Sequence, residues 1–239
     1  MSEMYTKHAQ KYGDVVRDNI YNAYLERPST LALLDNVKGM NIIDMGCGSG
    51  IYSEWFIKQS ASQVTCVDKS PDMVALVESN LAEFVLQGTV KTYAQDLSKG
   101  LPVEASDSAD VIVCPLVLHY IEDLDVVFKD VHRVLKSGGY MVFSTHHPFA
   151  DFECTLSGNY FDRELIEEEW DTVGISVSVS FYRRSLAELC NAVTSSGLLI
   201  SKISEGEVDE KVKEMCSSTY ERLKQNPNFI FIRCEKPNE

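Results

Sequence analysis

The chain has 239 residues, 44% of them hydrophobic, which suits one large domain rather than several. Lys and Arg total 22 against 36 Asp and Glu, a formal charge of −14 that argues against a surface tracking a nucleic-acid backbone or an anionic membrane. The densest basic spot, Tyr182-Arg183-Arg184, has far fewer cations than such a surface needs. Seven cysteines lie far apart with no C-x-x-C pair, so finger and redox-motif spacings fail and no metal is expected. An odd number of thiols suits a reducing compartment, and the polar start Met1–Gln10 is not a secretory signal. The longest apolar run, Val111–Leu118, is too short to span a bilayer. The expectation is a cytoplasmic protein without membrane or nucleic-acid partners, a monomer or homodimer.

Residues 1–37 precede the first strand signal and are expected to form a helical cap. Asn41–Met45 is a short apolar burst that ends in Gly46-Cys-Gly-Ser-Gly50, and Ile51–Gln59 then takes helical spacing: strand, glycine loop, helix. Gln63–Val67 reads as a second strand stopping at Asp68, with Pro71 opening a helix whose apolar face is Met73, Leu76, Val77, Leu81 and Phe84. Val90–Ala94 is a third strand ending at Asp96. Ala109–Cys114 is a continuous apolar run, as expected of a parallel strand covered on both faces. Leu124–Leu135 is its crossover helix, stopped by Ser137-Gly138-Gly139, and Tyr140–Thr145 is the fifth strand. This alternation predicts an α/β fold with a doubly wound, mostly parallel sheet. The rhythm then breaks, and residues 146–182 read as an insertion over the active face. In that insertion Phe149, Phe152, Tyr160, Phe161 and Trp170 form either an apolar lid or the insertion's own core. Ile175–Phe181 alternates like a half-exposed strand, Ser185 caps a helix running to Gly197, and Leu198–Ile203 and Phe229–Cys234 close the sheet around a charged helix, 208–224.

The chemistry concentrates at Asp44-Met-Gly-Cys-Gly-Ser-Gly50. Glycines there let the backbone approach a ligand, and Asp68, about 20 residues on at the next strand end, can accept both hydroxyls of a ribose. Ile51 stands where the dinucleotide fingerprint needs its third glycine, so a nicotinamide-dependent oxidoreductase fits less well. With these motifs the chain resembles the class I S-adenosylmethionine (SAM)-dependent methyltransferases, specifically the small-molecule and quinone-type group with a D-x-G-C-G-x-G loop. The resemblance spans residues 5–145 and implies a seven-stranded Rossmann-like sheet with SAM as cofactor. It implies that Asp44, Gly46, Cys47 and Gly48 abut the methionine portion. Asp68 would take the ribose, with Lys69 and Met73 flanking the adenosine, and Asp96 with Leu97 would meet the adenine. Cys114-Pro115 opens the post-strand segment, whose L-x-L-H element ends at His119. Tyr5 and Tyr12 match a Y-D-x-x-A-x-x-Y opening that covers the cofactor, with Thr6 in place of Asp.

A sulfonium already makes the methyl carbon electrophilic, so the protein's task is to hold a nucleophile in line at about 3–3.5 Å. Where a base is needed, His119, His146 and His147 follow strand C-terminal ends, where open α/β sheets bind ligands. His146 and His147 are equally open to a loop role satisfied by water, and His119 more readily fits a packing and hydrogen-bonding role. Tyr182-Arg183-Arg184 resembles a Y-H-R element of relatives that carry H-P after the fifth strand, as His147-Pro148 does here, which makes Tyr182 and Arg183 candidate substrate contacts. An inward arginine would select a carboxylate or phosphate, whereas an outward one is a solvated cation. Cys114-Pro115 lacks the N-P-P-Y box of amide and base methylators, which leaves a small-molecule acceptor. A non-catalytic SAM-binding regulator on the same fold is the alternative function.

Overall fold

The computed structural model describes residues 2–238. The described residues contain nine strands: β1 (Asn41–Met45), β2 (Gln63–Asp68), β3 (Val90–Ala94), β4 (Ala109–Pro115), β5 (Leu135–His146), β6 (Glu164–Trp170), β7 (Val177–Arg183), β8 (Leu199–Ser204) and β9 (Phe229–Glu235). Seven of them form one sheet in the order β3-β2-β1-β4-β5-β9-β8. β1 to β5 run parallel, and β9 is antiparallel to both β5 and β8. The order reverses between β1 and β4, which places the binding crevice at the carboxyl ends of those strands. Period-2 alternation sends Ile43, Ile112, Met141 and Ile232 into one apolar layer and Ile42, Val111, Val142 and Phe231 into the other. Both layers are covered by helices, which explains why the central strands read as unbroken apolar runs. No helix among the described residues is long and apolar enough to cross a membrane.

Several boundaries differ from the sequence reading. The crossover helix ends at Val134, before Ser137-Gly138-Gly139, because Leu135 turns extended to pair with Ala109. Those glycines lie inside β5, where the register shifts between Ala109 and Val111. The helix opened by Pro71 is two pieces, Pro71–Asn80 and Ala82–Leu86, separated at Leu81, whose backbone leaves the helical region. The charged C-terminal helix is likewise two, Lys211–Met215 and Ser217–Gln225, broken by extended Cys216.

The segment after β5, aperiodic in the sequence apart from the alternation at Ile175–Phe181, folds into an antiparallel hairpin of β6 and β7 separate from the main sheet. Its apolar face, Val173, Val177 and Val179, packs with Met4 and with the rings of Tyr5, Tyr12, Tyr120 and Trp170. The N-terminal segment therefore does not lie alone. Its short turns and the helix Ala9–Val15 rest on the hairpin across the carboxyl end of the sheet.

Candidate active site

A cavity of about 580 Å³ opens beyond the carboxyl ends of β1 to β4. Its walls include Tyr5, Tyr12, Gly46, Cys47, Gly48, Asp68, Lys69, Met73, Asp96, Leu97 and Pro115, so residues far apart in the sequence meet here as the motifs imply. The glycine loop is fixed from below: the Gly46 and Cys47 amides donate to the Val67 carbonyl at 2.7 and 3.1 Å, joining it to the end of β2. Gly46 holds φ +74°, and a Cβ there would collide with the Val117 side chain, so only glycine fits. The Gly48 amide donates to Asp68 Oδ2 at 3.0 Å and the Ser70 amide to Oδ1 at 2.8 Å. Two backbone amides thus lock the Asp68 carboxylate in one orientation at the cavity wall. Lys69 pairs with Asp96 at 2.8 Å, and Asp96 also caps the turn that carries Leu97. After β4, Leu116 adopts φ +54°, an uncommon value for a residue with a side chain, held by the Ser144 carbonyl and hydroxyl, both 3.0 Å from its amide. This turn presents Pro115, Leu116 and Val117 to the cavity.

Asp44 and Cys114 lie behind this surface rather than on it. Asp44 is fully buried, accepts the Ser53 hydroxyl at 2.6 Å, and is pushed up to about 7 by burial despite that bond. Cys114 is enclosed within β4, and burial raises its thiol. Over the cavity, the Tyr5 and Tyr120 hydroxyls share a hydrogen bond of 2.6 Å, and Tyr5 meets Tyr12 edge to face at 5.0 Å. Burial pushes all three phenols up.

The three histidines stand elsewhere. His119 is buried, stacks on His146 with centroids 3.9 Å apart, and lies 3.3 Å from the Thr145 hydroxyl. Burial pulls it well below the usual histidine range. His146 lies 3.2 Å from the Asp151 carboxylate, and both rings border a second, much smaller cavity with Tyr182 and Arg184. His147 pairs with Glu205 at 3.0 Å and accepts the Phe149 amide. None of the three lines the large cavity. Tyr182 donates to Glu122 at 3.3 Å. Arg183 is neither pocket-directed nor solvated: it is fully buried, pairs with Glu164 at 2.6 Å, and donates to the carbonyls of Asn159, Tyr160 and Asp162. Its charge is used to close the 155–163 loop against the hairpin.

Sequence reasoning missed Asn22, Glu26, Arg27, Tyr52, Tyr120 and the hairpin residues Ser178–Ser180, all of which line the cavity. The available signal was Pro28, which interrupts an otherwise helical stretch and is preceded by a π-helical turn, Asn22–Glu26. Such turns gather at functional sites. Glu26, Asp44 and Asp68 crowd the glycine loop, and among the described residues none of them has a Lys, Arg or His in ion-pair range, although Arg27 and Lys69 also stand in the cavity wall. The loop end of the cavity is therefore built for a ligand carrying positive charge.

The family described as a methyltransferase domain matches residues 43–143. An uncharacterized protein of Haemophilus influenzae is 31% identical over 234 residues, 90% of this chain and 88% of its own length. A ubiquinone biosynthesis O-methyltransferase of Pseudomonas syringae pv. tomato is 32% identical over 110 residues, 46% of each chain, so the match spans about half of that enzyme. An S-adenosylmethionine dependent methyltransferase from Mesorhizobium loti shares the fold with a TM-score of 0.69 at 25% identity, covering 88% of this chain and 97% of that one. A crevice walled by a glycine loop that admits no side chain, two strand-end carboxylates and an anionic floor suits a cationic nucleoside, and with these matches the chain belongs to the class I SAM-dependent methyltransferases, with SAM as its cofactor.

Proposed function

We propose that the protein transfers the methyl group of SAM to a small molecule that enters beneath the tyrosines and the β6–β7 hairpin. The observation that carries this reading is the single cavity shared by the glycine loop, Asp68, Asp96 and the Tyr5–Tyr120 pair. Within it Gly46, Cys47 and Gly48 approach the amino-acid end of the cofactor, Asp68 accepts the ribose hydroxyls, and Asp96 reaches the adenine edge. Met73 and Leu97 supply apolar walls. Arg27, whose buried Nε has no hydrogen-bond partner among the described residues, takes the α-carboxylate.

The cofactor supplies an electrophilic methyl group when bound; the chain's own residues position and desolvate the acceptor. The tyrosines keep their protons at neutral pH, because burial raises them, and none of His119, His146 and His147 lines the cavity. We therefore read the acceptor as one that brings its own acidity or a free lone pair, such as an acidic hydroxyl or a thiol, rather than one that needs a protein base. The O-methyltransferase named above is in keeping with an oxygen acceptor.

S-Adenosylhomocysteine formation across a panel of phenols, thiols, amines and carboxylic acids tests this. The expected result is turnover whose kcat/KM rises with pH through the acceptor's own pKa and moves when the acceptor is changed. A single limb near pH 6.5 shared by all acceptors would instead identify a histidine base.

A further inference from the structure

Glu26 is 2% exposed, yet it belongs to the wall of the cavity. The π-helical turn Asn22–Glu26 ahead of Pro28 rotates it inward. Hydroxyls from three separate elements converge on it: Thr30 at 2.8 Å, Tyr52 at 2.9 and 3.1 Å, and Ser144 at 2.7 Å. Ser144 also holds the Leu116 amide, so the same network fixes the turn after β4. Arg27, the next residue, sends its guanidinium to the carbonyls of Val16 and Arg17 instead of back to Glu26. Its hydrogen-bond donors are all neutral, and among the described residues no cation stands in ion-pair range of this buried carboxylate; Arg27 favours its ionised form from further off, whereas Asp44 and Tyr12 oppose it. A glutamine would serve a purely structural knot of hydroxyls at lower desolvation cost, since a buried charge is expensive unless it meets a cation.

We infer that Glu26 is the counter-ion for the α-ammonium group of the cofactor. Glu26 and Arg27, adjacent and opposite in charge, then meet the two charged groups on one α-carbon, ammonium and carboxylate, beside the glycine loop. Burial raises the free carboxyl, and an arriving ammonium would restore its ionised form. The inference rests on the cofactor lying in this cavity as proposed above.

Calorimetric titration separates the roles, with S-adenosylhomocysteine and its desamino analogue, which has hydrogen in place of the α-amino group, as probes. Glu26→Gln is expected to weaken S-adenosylhomocysteine roughly 10- to 100-fold while leaving the desamino analogue nearly unchanged. Tyr52→Phe removes a neutral partner only and should keep the preference for the amine. An unchanged preference in Glu26→Gln overturns the assignment. Should Glu26→Gln lack a cooperative melt, the wild-type protein decides: a preference for the amine of fivefold or more supports the assignment and a smaller one overturns it. Asp68→Ala distinguishes the two levels. If it leaves S-adenosylhomocysteine affinity intact, the cavity assignment fails, whereas loss in Asp68→Ala without loss in Glu26→Gln sinks only the role of Glu26.

Discussion

Two carboxyl groups behave in opposite ways with pH. Asp44 forms no ion pair among the described residues, and burial lifts it to about 7, so its folded form holds a proton more readily than the unfolded chain. Its contribution to stability is complete below the usual carboxylate range near 4 and is lost as pH rises through about 7. Asp44→Asn, which keeps an acceptor for Ser53, should therefore match wild type near pH 4 and exceed it above pH 7 by on the order of 1–4 kcal/mol in urea melts of the cofactor-free protein. A stability difference independent of pH would rule out an ionised Asp44 as the source. Glu164 runs the other way. Burial opposes its charge, yet Arg183 and the Ser157 amide hold it down at about 2, so its contribution is present above about 4.5 and fades as pH falls toward 2. Arg183→Lys keeps the charge but cannot reproduce the fork to Glu164 together with three carbonyls, and it should destabilise nearly as much as Arg183→Ala. Rescue of the thermal midpoint by lysine would show that charge alone suffices.

Elements whose faces are set by local period were legible in the sequence. β1 to β5, the glycine loop and the acids at Asp68 and Asp96 follow from apolar bursts ending at turn residues, and Ser185 caps its helix at the Glu188 amide as its position suggests. β6 was not legible, because Glu-Leu-Ile-Glu-Glu-Glu-Trp has no apolar alternation: Glu164 is drawn inward by Arg183 while Leu165 faces out. Glu26 and Arg27 were hidden for a related reason, since charged residues in a helical stretch read as its solvated face until the fold folds that face onto the cavity. The histidines were over-read, because proximity to a strand end says nothing of which side of the end a ring takes. The loop itself gives a direct test. Gly46→Ala should lose about 1–3 kcal/mol to its positive φ and further stability to the clash with Val117. Val117→Ala on that background relieves the clash but not the dihedral, so urea stability should recover in part and S-adenosylhomocysteine affinity should stay low. Full recovery of both would make packing, not backbone conformation, the reason for glycine.

At the scale of the whole molecule the cavity is roofed by two segments with no sequence proximity. Ser2 Oγ donates to the Ser178 carbonyl at 2.8 Å, Met4 is fully enclosed among Val173, Val177 and Val179, and Tyr5 reaches Tyr120 across the opening. This patch is a small cluster of its own, apart from the two layers flanking the sheet. A cluster so placed can open without unfolding the sheet, because local opening draws on its own few contacts rather than on the global core. Met4→Ala should then raise hydrogen exchange across residues 2–15 and 173–180 and weaken S-adenosylhomocysteine binding, while the global unfolding free energy from urea melts falls by less than the roughly 2–5 kcal/mol typical of a core Met→Ala change. Saturating ligand should reverse the exchange, since binding at 100 times Kd stabilises the bound state by about 2.7 kcal/mol and the roof is part of that state. If Met4→Ala instead lowers global stability by the full core amount with uniform exchange, the roof folds as one unit with the sheet, and ligand entry must use another path than the seam between the N-terminal segment and the hairpin.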